Sequence, residues 1–314
     1  MKKLSLLLAI VLLLSLLSGC FGGGSGKLDE ADVHPLLYRV TGPEGQEGYL
    51  FGTIHVGDEN VETAVNKIKP FLDESDALAV EFDIVAYEAD YAAQKRDMEN
   101  FLLTDGTTIT DHMPADTYEA AAALLEKAGL FPKLMQSYNT AMWSQLVEQA
   151  AVKTKTKYDM EIGVDRSLIK YCYDKEIEVR DVESAELQYG ILLGFSDELN
   201  LLMIENTLDN LNSYGLGMSM LYYAWISGSE ENLTSLLNGE SGAAALTEEQ
   251  SALMEDYYDK LLTQRNLGMR DKAVEWLEAG DKVFFAVGAA HLLGDDGLVA
   301  LLRAAGYTVE PVEY

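Results

Sequence analysis

The sequence predicts an α/β protein: a mixed central sheet flanked by helices, with a large helical insertion in the middle of the chain. Three observations carry that prediction. Short apolar runs suited to strands covered on both faces stand early and late in the chain, at Ala77–Asp83 and again at Lys282–Val287. Between them, residues 84–279 carry apolar positions mostly at helical spacing. Finally, two stretches share one local design. Tyr49-Leu50-Phe51-Gly52-Thr53-Ile54-His55 and Val283-Phe284-Phe285-Ala286-Val287-Gly288-Ala289-Ala290-His291 each run apolar and then end in Gly-x-x-His. Two of the four histidines of the chain thus follow strand ends more than two hundred positions apart.

Composition narrows the classes. With 314 residues and 48% hydrophobic content the chain can bury a sizeable core. Its formal net charge of −29 excludes nucleic acid as a partner, since that binding needs a basic footprint, and argues against an anionic membrane surface as the main ligand. Two cysteines, Cys20 and Cys172, with no CxxC and no Cys/His zinc spacing, leave neither a disulfide framework nor a structural zinc site.

Residues 1–20 read as an export signal, with Lys2 and Lys3 before an apolar run, Leu4 to Leu17. Leu17-Ser18-Gly19-Cys20 resembles a bacterial lipobox, which implies cleavage before Cys20 and a lipid on that residue. The expectation is an extracytoplasmic lipoprotein anchored to the bacterial cell membrane. Residues 21–34 then form a glycine-rich flexible tether, and residues 35–314 the folded α/β domain. Cys172 is expected to be buried and structural.

Pro35–Thr41 and Gly48–Ile54 read as a hairpin around a Gly- and Glu-rich loop, followed by a helix over Val61–Leu72 and the buried strand Ala77–Asp83. Helices are expected over Met113–Ala128, ending at Gly129, and over Lys133–Lys153. Gly163-Val164-Asp165 opens a helix to Lys175, and Glu176–Asp181 alternates as a strand. Helices continue over Ser184–Tyr214 with a break near Ser196, over Gly217–Leu237, and from Thr247 to about Glu278. A helix over Asp295–Ala304, with Asp295-Asp296 as first-turn charges, and a strand over Tyr307–Val312 complete the chain.

The candidate chemistry lies where such sheets form their sites, just beyond the carboxyl ends of strands. His55 and His291 each follow a strand and precede a helix. Glu81 ends a third apolar run, where a carboxylate costs several kcal/mol unless it is paired or bound to a cation. Two imidazoles and a carboxylate make a divalent-metal donor set, with Glu81 open to a second role as general base. Arg265 falls on the apolar stripe of the last long helix and calls for a carboxylate or an anionic ligand; as a catalytic residue it would stabilise developing negative charge or hold Glu81 in place. Asp165 is most cheaply read as an N-cap, and His34 and His112 as structural or exposed. HExxH, Walker, GxSxG and GxGxxG signatures do not occur.

The chain resembles the TraB/GumN family, which also contains the Tiki proteins. Leu50-Phe51-Gly52-Thr53-Ile54-His55-Val56-Gly57, Ala79-Val80-Glu81, Gly163-Val164-Asp165, Val182-Glu183-Ser184, Arg265-Asn266 and the run from Ala286 to Leu298 carry the resemblance over nearly all of residues 36–312. It implies a fold related to erythromycin-esterase-like and ChaN-like proteins. From Tiki-like members it implies a metal-dependent protease whose site here would be His55, His291 and Glu81, with Arg265 as a neighbouring charge. The expected activity is that of a peptidase using manganese, cobalt or zinc on a peptide or small-molecule substrate. The alternatives are a metal-free His/Glu hydrolase and a lipoprotein that binds a peptide or small ligand without turnover.

Overall fold

The computed structural model describes residues 28–131, 134–237 and 246–314. The expected signal segment and the first part of the tether, residues 21–27, lie outside the described residues, as does Lys133, where one helix was expected to start. Residues 28–34, read as the end of the tether, make ordered contacts: Val33 is buried, and the His34 amide donates to the carbonyl of Ile226 at 2.8 Å.

Six strands form one sheet: β1 (Leu37–Thr41), β2 (Glu47–Thr53), β3 (Ala77–Val80), β4 (Glu178–Asp181), β5 (Val283–Gly288) and β6 (Thr308–Pro311). Their spatial order is β4-β3-β5-β2-β1-β6. β4, β3, β5 and β2 are mutually parallel neighbours, while β1 is antiparallel to both β2 and β6. The β1–β2 hairpin turns through Gly45, whose φ of +87° is the left-handed conformation that glycine adopts without steric cost. β3 is buried at every position and β5 at all but its last, as expected of strands covered on both faces. No helix among the described residues is long and apolar enough to cross a membrane.

Three parallel strands stand side by side as β3-β5-β2, so their carboxyl ends open on one edge. The register fixes the levels: Thr53 pairs with Gly288, and Val80 pairs with Ala286. The residues that follow these strands are therefore delivered to one place by the ladder itself, although they are far apart in sequence.

The insertion is helical apart from β4, and boundaries within it and after β5 correct the sequence reading. The helix expected from Lys133 begins at Thr140, where Asn139 accepts the Met142 amide at 3.1 Å and caps it, and runs to Lys155. The helix expected over Gly217–Leu237 is two, Tyr214–Ile226 and Glu230–Leu237, because Gly228 takes a φ of +60°. Asp295 and Asp296 precede the last helix, Leu298–Ala304, with Gly297 at its N-cap; they are not first-turn charges. There a Cβ on Gly297 would stand 2.2 Å from the Leu293 carbonyl, so the tight approach needs glycine. Other signals hold. Ser196 caps Asp197–Asp209, Gly129 closes Ala115–Ala128 in the left-handed conformation, and Thr247 with Gln250 forms a capping box. Cys172 is buried and its thiol is pushed up to about 12 by burial, which leaves it protonated and inert.

Inside the insertion, Glu148 lies on the Thr140–Lys155 helix and accepts hydrogen bonds from the Tyr214 hydroxyl and, at 3.0 Å, from the Thr207 hydroxyl. Burial lifts its carboxyl from 4.5 to about 7, against the pull of those two hydroxyls. An acid whose pKa is raised on folding binds more protons in the native state between those two values. Its contribution therefore falls as pH rises through about 4.5–7 and stays lower above. Glu148→Gln is expected to remove this dependence. Its melting temperature should exceed that of the parent by roughly 2–4 °C at pH 8 and match it near pH 5. Thermal denaturation of both proteins across that range checks the sign.

Candidate active site

Each site residue reaches its place through a local feature of the sequence. β2 ends at Thr53, and His55 follows two residues later. Its imidazole Nδ1 lies 2.9 Å from Oδ2 of Asp165, and the Thr53 hydroxyl donates to Oδ1 of the same carboxylate at 2.6 Å. Asp165 stands in the first turn of the helix Val164–Lys175. That helix can approach the β2 end because its N-cap is Gly163: a Cβ there would stand 2.7 Å from the His55 carbonyl oxygen. The Val164 amide then donates to the Ile54 carbonyl at 3.1 Å.

Glu81 comes directly after β3 and is 7% exposed. Its Oε1 accepts the Gly288 amide at 2.9 Å, and its Oε2 accepts Arg265 Nη2 at 2.5 Å and Gln188 Nε2 at 3.0 Å. Gly288 closes the floor of the site; a Cβ on it would lie 3.2 Å from Glu81 Oε1, 3.6 Å from His291 and 4.0 Å from His55 Nε2. The β3–β4 pairing continues beyond the strands, with the Glu183 amide donating to the Glu81 carbonyl at 2.8 Å. This sets a second carboxylate beside the first. Arg265 joins them: its Nε lies 3.0 Å from both oxygens of Glu183, its Nη2 bonds Glu183 at 2.7 Å as well as Glu81, and its Nη1 donates to the Leu261 carbonyl at 3.1 Å.

Arg265 and Asn266 open the helix Gln264–Glu278, directly after a π-helical turn at Asp259–Thr263. Such turns shift the register of a helix face and recur at functional sites. Both side chains are buried here. Asn266 Oδ1 lies 2.6 Å from His291 Nδ1, and its amide nitrogen donates to the Asp296 carbonyl at 2.8 Å. His291 sits in a single 3-10 turn, Ala289–Leu292, after β5, with its Nε2 3.8 Å from Glu81 Oε1.

The electrostatics follow from these contacts. Burial opposes ionisation of Glu81, but the Arg265 guanidinium outweighs it and holds the carboxyl well below the usual range. Burial works against charging His55; the charge and hydrogen bond of Asp165 outweigh it and lift the imidazole to about 9. His291 has no such carboxylate on its Nδ1. Burial first, and then Arg265, push it down to about 3, so it is neutral.

The structure thus brings His55, His291, Glu81 and Arg265 together. It adds Asp165, Glu183, Gln188 and Asn266, which reasoning on single residues missed. Asp165 is not the N-cap it was read as; Gly163 holds that position, and the Asp165 carboxylate is taken up by His55 and Thr53. Gly163-Val164-Asp165, Val182-Glu183-Ser184 and Arg265-Asn266, noted above as shared stretches, were the signal for three of the four. His34 and His112 lie elsewhere; His112 contacts Thr107 and Asp197.

The residues fit a divalent cation in donor chemistry. The Nδ1 atoms of both histidines are engaged by Asp165 and Asn266, the outer-shell pattern that orients a ligating imidazole, and the Nε2 atoms are left for the site. The 3.8 Å between His291 Nε2 and Glu81 Oε1 is less than twice a metal–ligand bond of about 2.0–2.2 Å, so one ion can touch both. Among the described residues, no group of three or more His, Cys, Asp or Glu side chains stands close enough to hold a metal ion as placed. The site opens to two cavities. One, of about 680 Å³ with its mouth, is bounded by His55, Glu81, His291 and apolar helix residues; the other, of about 480 Å³, by His55, Glu81, Asp165, Arg166 and Gln188 with apolar neighbours.

Fold and site define an α/β protein with two strand-end histidines facing one buried carboxylate. The chain belongs to the TraB/PrgY/gumN family, whose model matches residues 36–311. It is similar to the uncharacterized protein YbaP of Shigella flexneri and that of Escherichia coli (strain K12). Each is 24% identical over 265 residues, covering 84% of this chain and 90% of the relative. No solved structure gives a significant match.

Removing Arg265 strands two buried carboxylates. Arg265→Met is expected to destabilise the fold by about 3–5 kcal/mol, the range for breaking one side of a buried ion pair. Pairing it with Glu81→Gln and Glu183→Gln should recover most of that loss. Urea unfolding of the single and triple variants measures both, and equal losses in the two would contradict the electrostatic account.

Proposed function

We propose that this chain is a metal-dependent hydrolase, a peptidase, with its site at His55, His291 and Glu81. The observation that supports it most is that each histidine has its Nδ1 engaged by an outer residue, which turns its Nε2 toward the site, that of His291 lying 3.8 Å from Glu81 Oε1. A divalent cation such as manganese, cobalt or zinc held there supplies Lewis acidity, which activates water and polarises a carbonyl.

The chain's own residues do the rest. His291, neutral because burial and Arg265 disfavour its charge, keeps a lone pair on Nε2. Asn266 fixes its ring through Nδ1, and Asp165 fixes that of His55. Glu81, held ionised by Arg265, is a weak base, so this reading uses its Oε1 as a ligand atom. The bonds of Arg265 run to Glu81, Glu183 and the Leu261 carbonyl, so it positions Glu81 and does not reach for substrate. In this reading the lipid on Cys20 holds the domain at the bacterial cell membrane, outside the cytoplasm.

One observation favours a second reading, metal-free hydrolysis by the same residues. The His55–Asp165 pair has the geometry of an imidazole held by a carboxylate; lifted to about 9, it is charged at lower pH, and in this reading its Nε2 gives a proton to the leaving group as general acid.

The experiment that separates the two is metal content with activity, on protein made without a histidine tag. The first reading expects near-stoichiometric transition metal, cleavage of a mixed peptide library stimulated by manganese, cobalt or zinc, and loss of both with a chelator. His55→Ala with His291→Ala should abolish metal and activity while the fold persists. Asn266→Leu should weaken metal binding by about 10–100-fold. Full activity in chelator, lost in His55→Ala, would install the second reading. Intact peptide bound without turnover would point instead to a binding lipoprotein.

A further inference from the structure

The larger cavity beside the site is one-sided in its chemistry. Its polar boundary consists of site residues themselves, Thr53, His55, Glu81 and His291. The facing wall is Met218, Leu221 and Trp225 from the helix Tyr214–Ile226, and Leu233 and Leu237 from the helix Glu230–Leu237. Among the described residues, that wall offers no side-chain group able to bond the far end of a polar ligand. The one hydrogen-bonding atom of Trp225 is already engaged, since its indole N–H donates to the Gly52 carbonyl at 2.9 Å. The same bond ties the wall to β2 three residues before His55. The smaller cavity, also bordered by His55 and Glu81, is bounded by Asp165, Arg166 and Gln188 as well as apolar groups.

We infer that the larger cavity is the specificity chamber of the enzyme and receives a large apolar side chain, of leucine, methionine or phenylalanine type, on the residue next to the bond cleaved. The inference rests on the hydrolase reading above and deepens it. A polar side chain entering there would lose its water and find no partner, at a cost of about 1–3 kcal/mol or more. An apolar one gains burial against a wall already built. Leu221 and Leu237 are half-buried and line the chamber, so they govern its depth. Met218 and Trp225 are fully buried and set its back.

The test uses peptides that differ at one position flanking the cleaved bond, with the parent chain and with Leu221→Trp, which fills the chamber, and Leu221→Ala, which enlarges it. The parent should prefer leucine or phenylalanine over alanine by at least tenfold in kcat/KM, the discrimination that hydrophobic pockets reach. Leu221→Trp should reduce that preference at least tenfold, and Leu221→Ala should move it toward the larger ring. Melting temperatures within a few degrees of the parent certify the fold. Cleavage with no preference for apolar residues, or a preference unmoved in Leu221→Trp, would overturn the chamber and leave the hydrolase reading standing. Should no peptide be cleaved, binding decides. A neutral apolar dye, N-phenyl-1-naphthylamine, should bind the parent saturably and Leu221→Trp at least tenfold more weakly. That outcome would keep the chamber while the hydrolase reading fails, and equal binding by both proteins would remove the chamber.

Discussion

Glu81 is a carboxylate buried at the end of an apolar strand, and much of the surrounding structure answers that one electrostatic demand. An isolated carboxylate in such a place would simply take up a proton. Here it stays ionised because Arg265 is brought to it from the far side of the insertion, and Arg265 is in turn held by Glu183. The parallel pairing supplies Glu183 by running on past the strands, one residue beyond β3 and two beyond β4. The π-helical turn precedes a helix start at which Arg265 and Asn266 are both buried and contact different site residues. Gly288 brings its amide to Glu81 with no side chain in the way. Strand register, helix irregularity and glycine placement thus converge on one pair of oxygens.

The charge count around Glu81 does not close with side chains of fixed charge. Glu81, Glu183 and Asp165 carry three negative charges, and Arg265 carries one positive charge against them. His55 responds as this imbalance requires, with its imidazole lifted to about 9 by Asp165 despite burial. His291, beside the same Glu81 but with a neutral amide on its Nδ1, stays uncharged. The two histidines that look equivalent in sequence are therefore held in different states. A positive charge at this point can come as a proton on His55 or as a cation shared with His291. Protons and metal ions compete for the same imidazole lone pair. The metal-dependent and metal-free readings are two ways of meeting one electrostatic deficit.

The strands were legible in sequence because burial on both faces leaves uninterrupted apolar runs, and the histidines because Gly-x-x-His repeats at two strand ends. The partners were harder to read for a physical reason. Asp165 meets His55 across 110 positions, Arg265 meets Glu183 across 82, and Gln188 meets Glu81 across 107. No local periodicity encodes such pairs. Asp165 also satisfied a local expectation, a carboxylate at a helix start, that hid its tertiary one. The break at Gly228 was missed although Ser227-Gly228-Ser229 is a turn signal inside a polar run, and the helices on either side end and begin around its left-handed backbone angle. Asp295 and Asp296 misled in the opposite sense. Their charges suit a helix start, but the chain turns at Gly294 and Gly297 first.

The proposed chemistry and the proposed selectivity fall on different parts of the chain. His55, Glu81 and His291 are set by strand ends whose levels are locked by the ladder, so a shift of any one would disturb paired neighbours along a whole strand. The apolar wall facing them belongs to two helices of the insertion separated by the Gly228 turn. That wall is joined to β2 through the Trp225–Gly52 bond, and to the loop after His55 through the Tyr222 hydroxyl, which donates to Asp58 at 2.6 Å. Neither joint passes through Glu81 or the histidines. Residues such as Leu221 and Leu237 can therefore change size with little strain on the strand ends, since a half-buried side chain bordering a cavity has room to repack. A fold built this way can keep one set of reactive groups and alter what is admitted to them, by substitutions confined to two short helices.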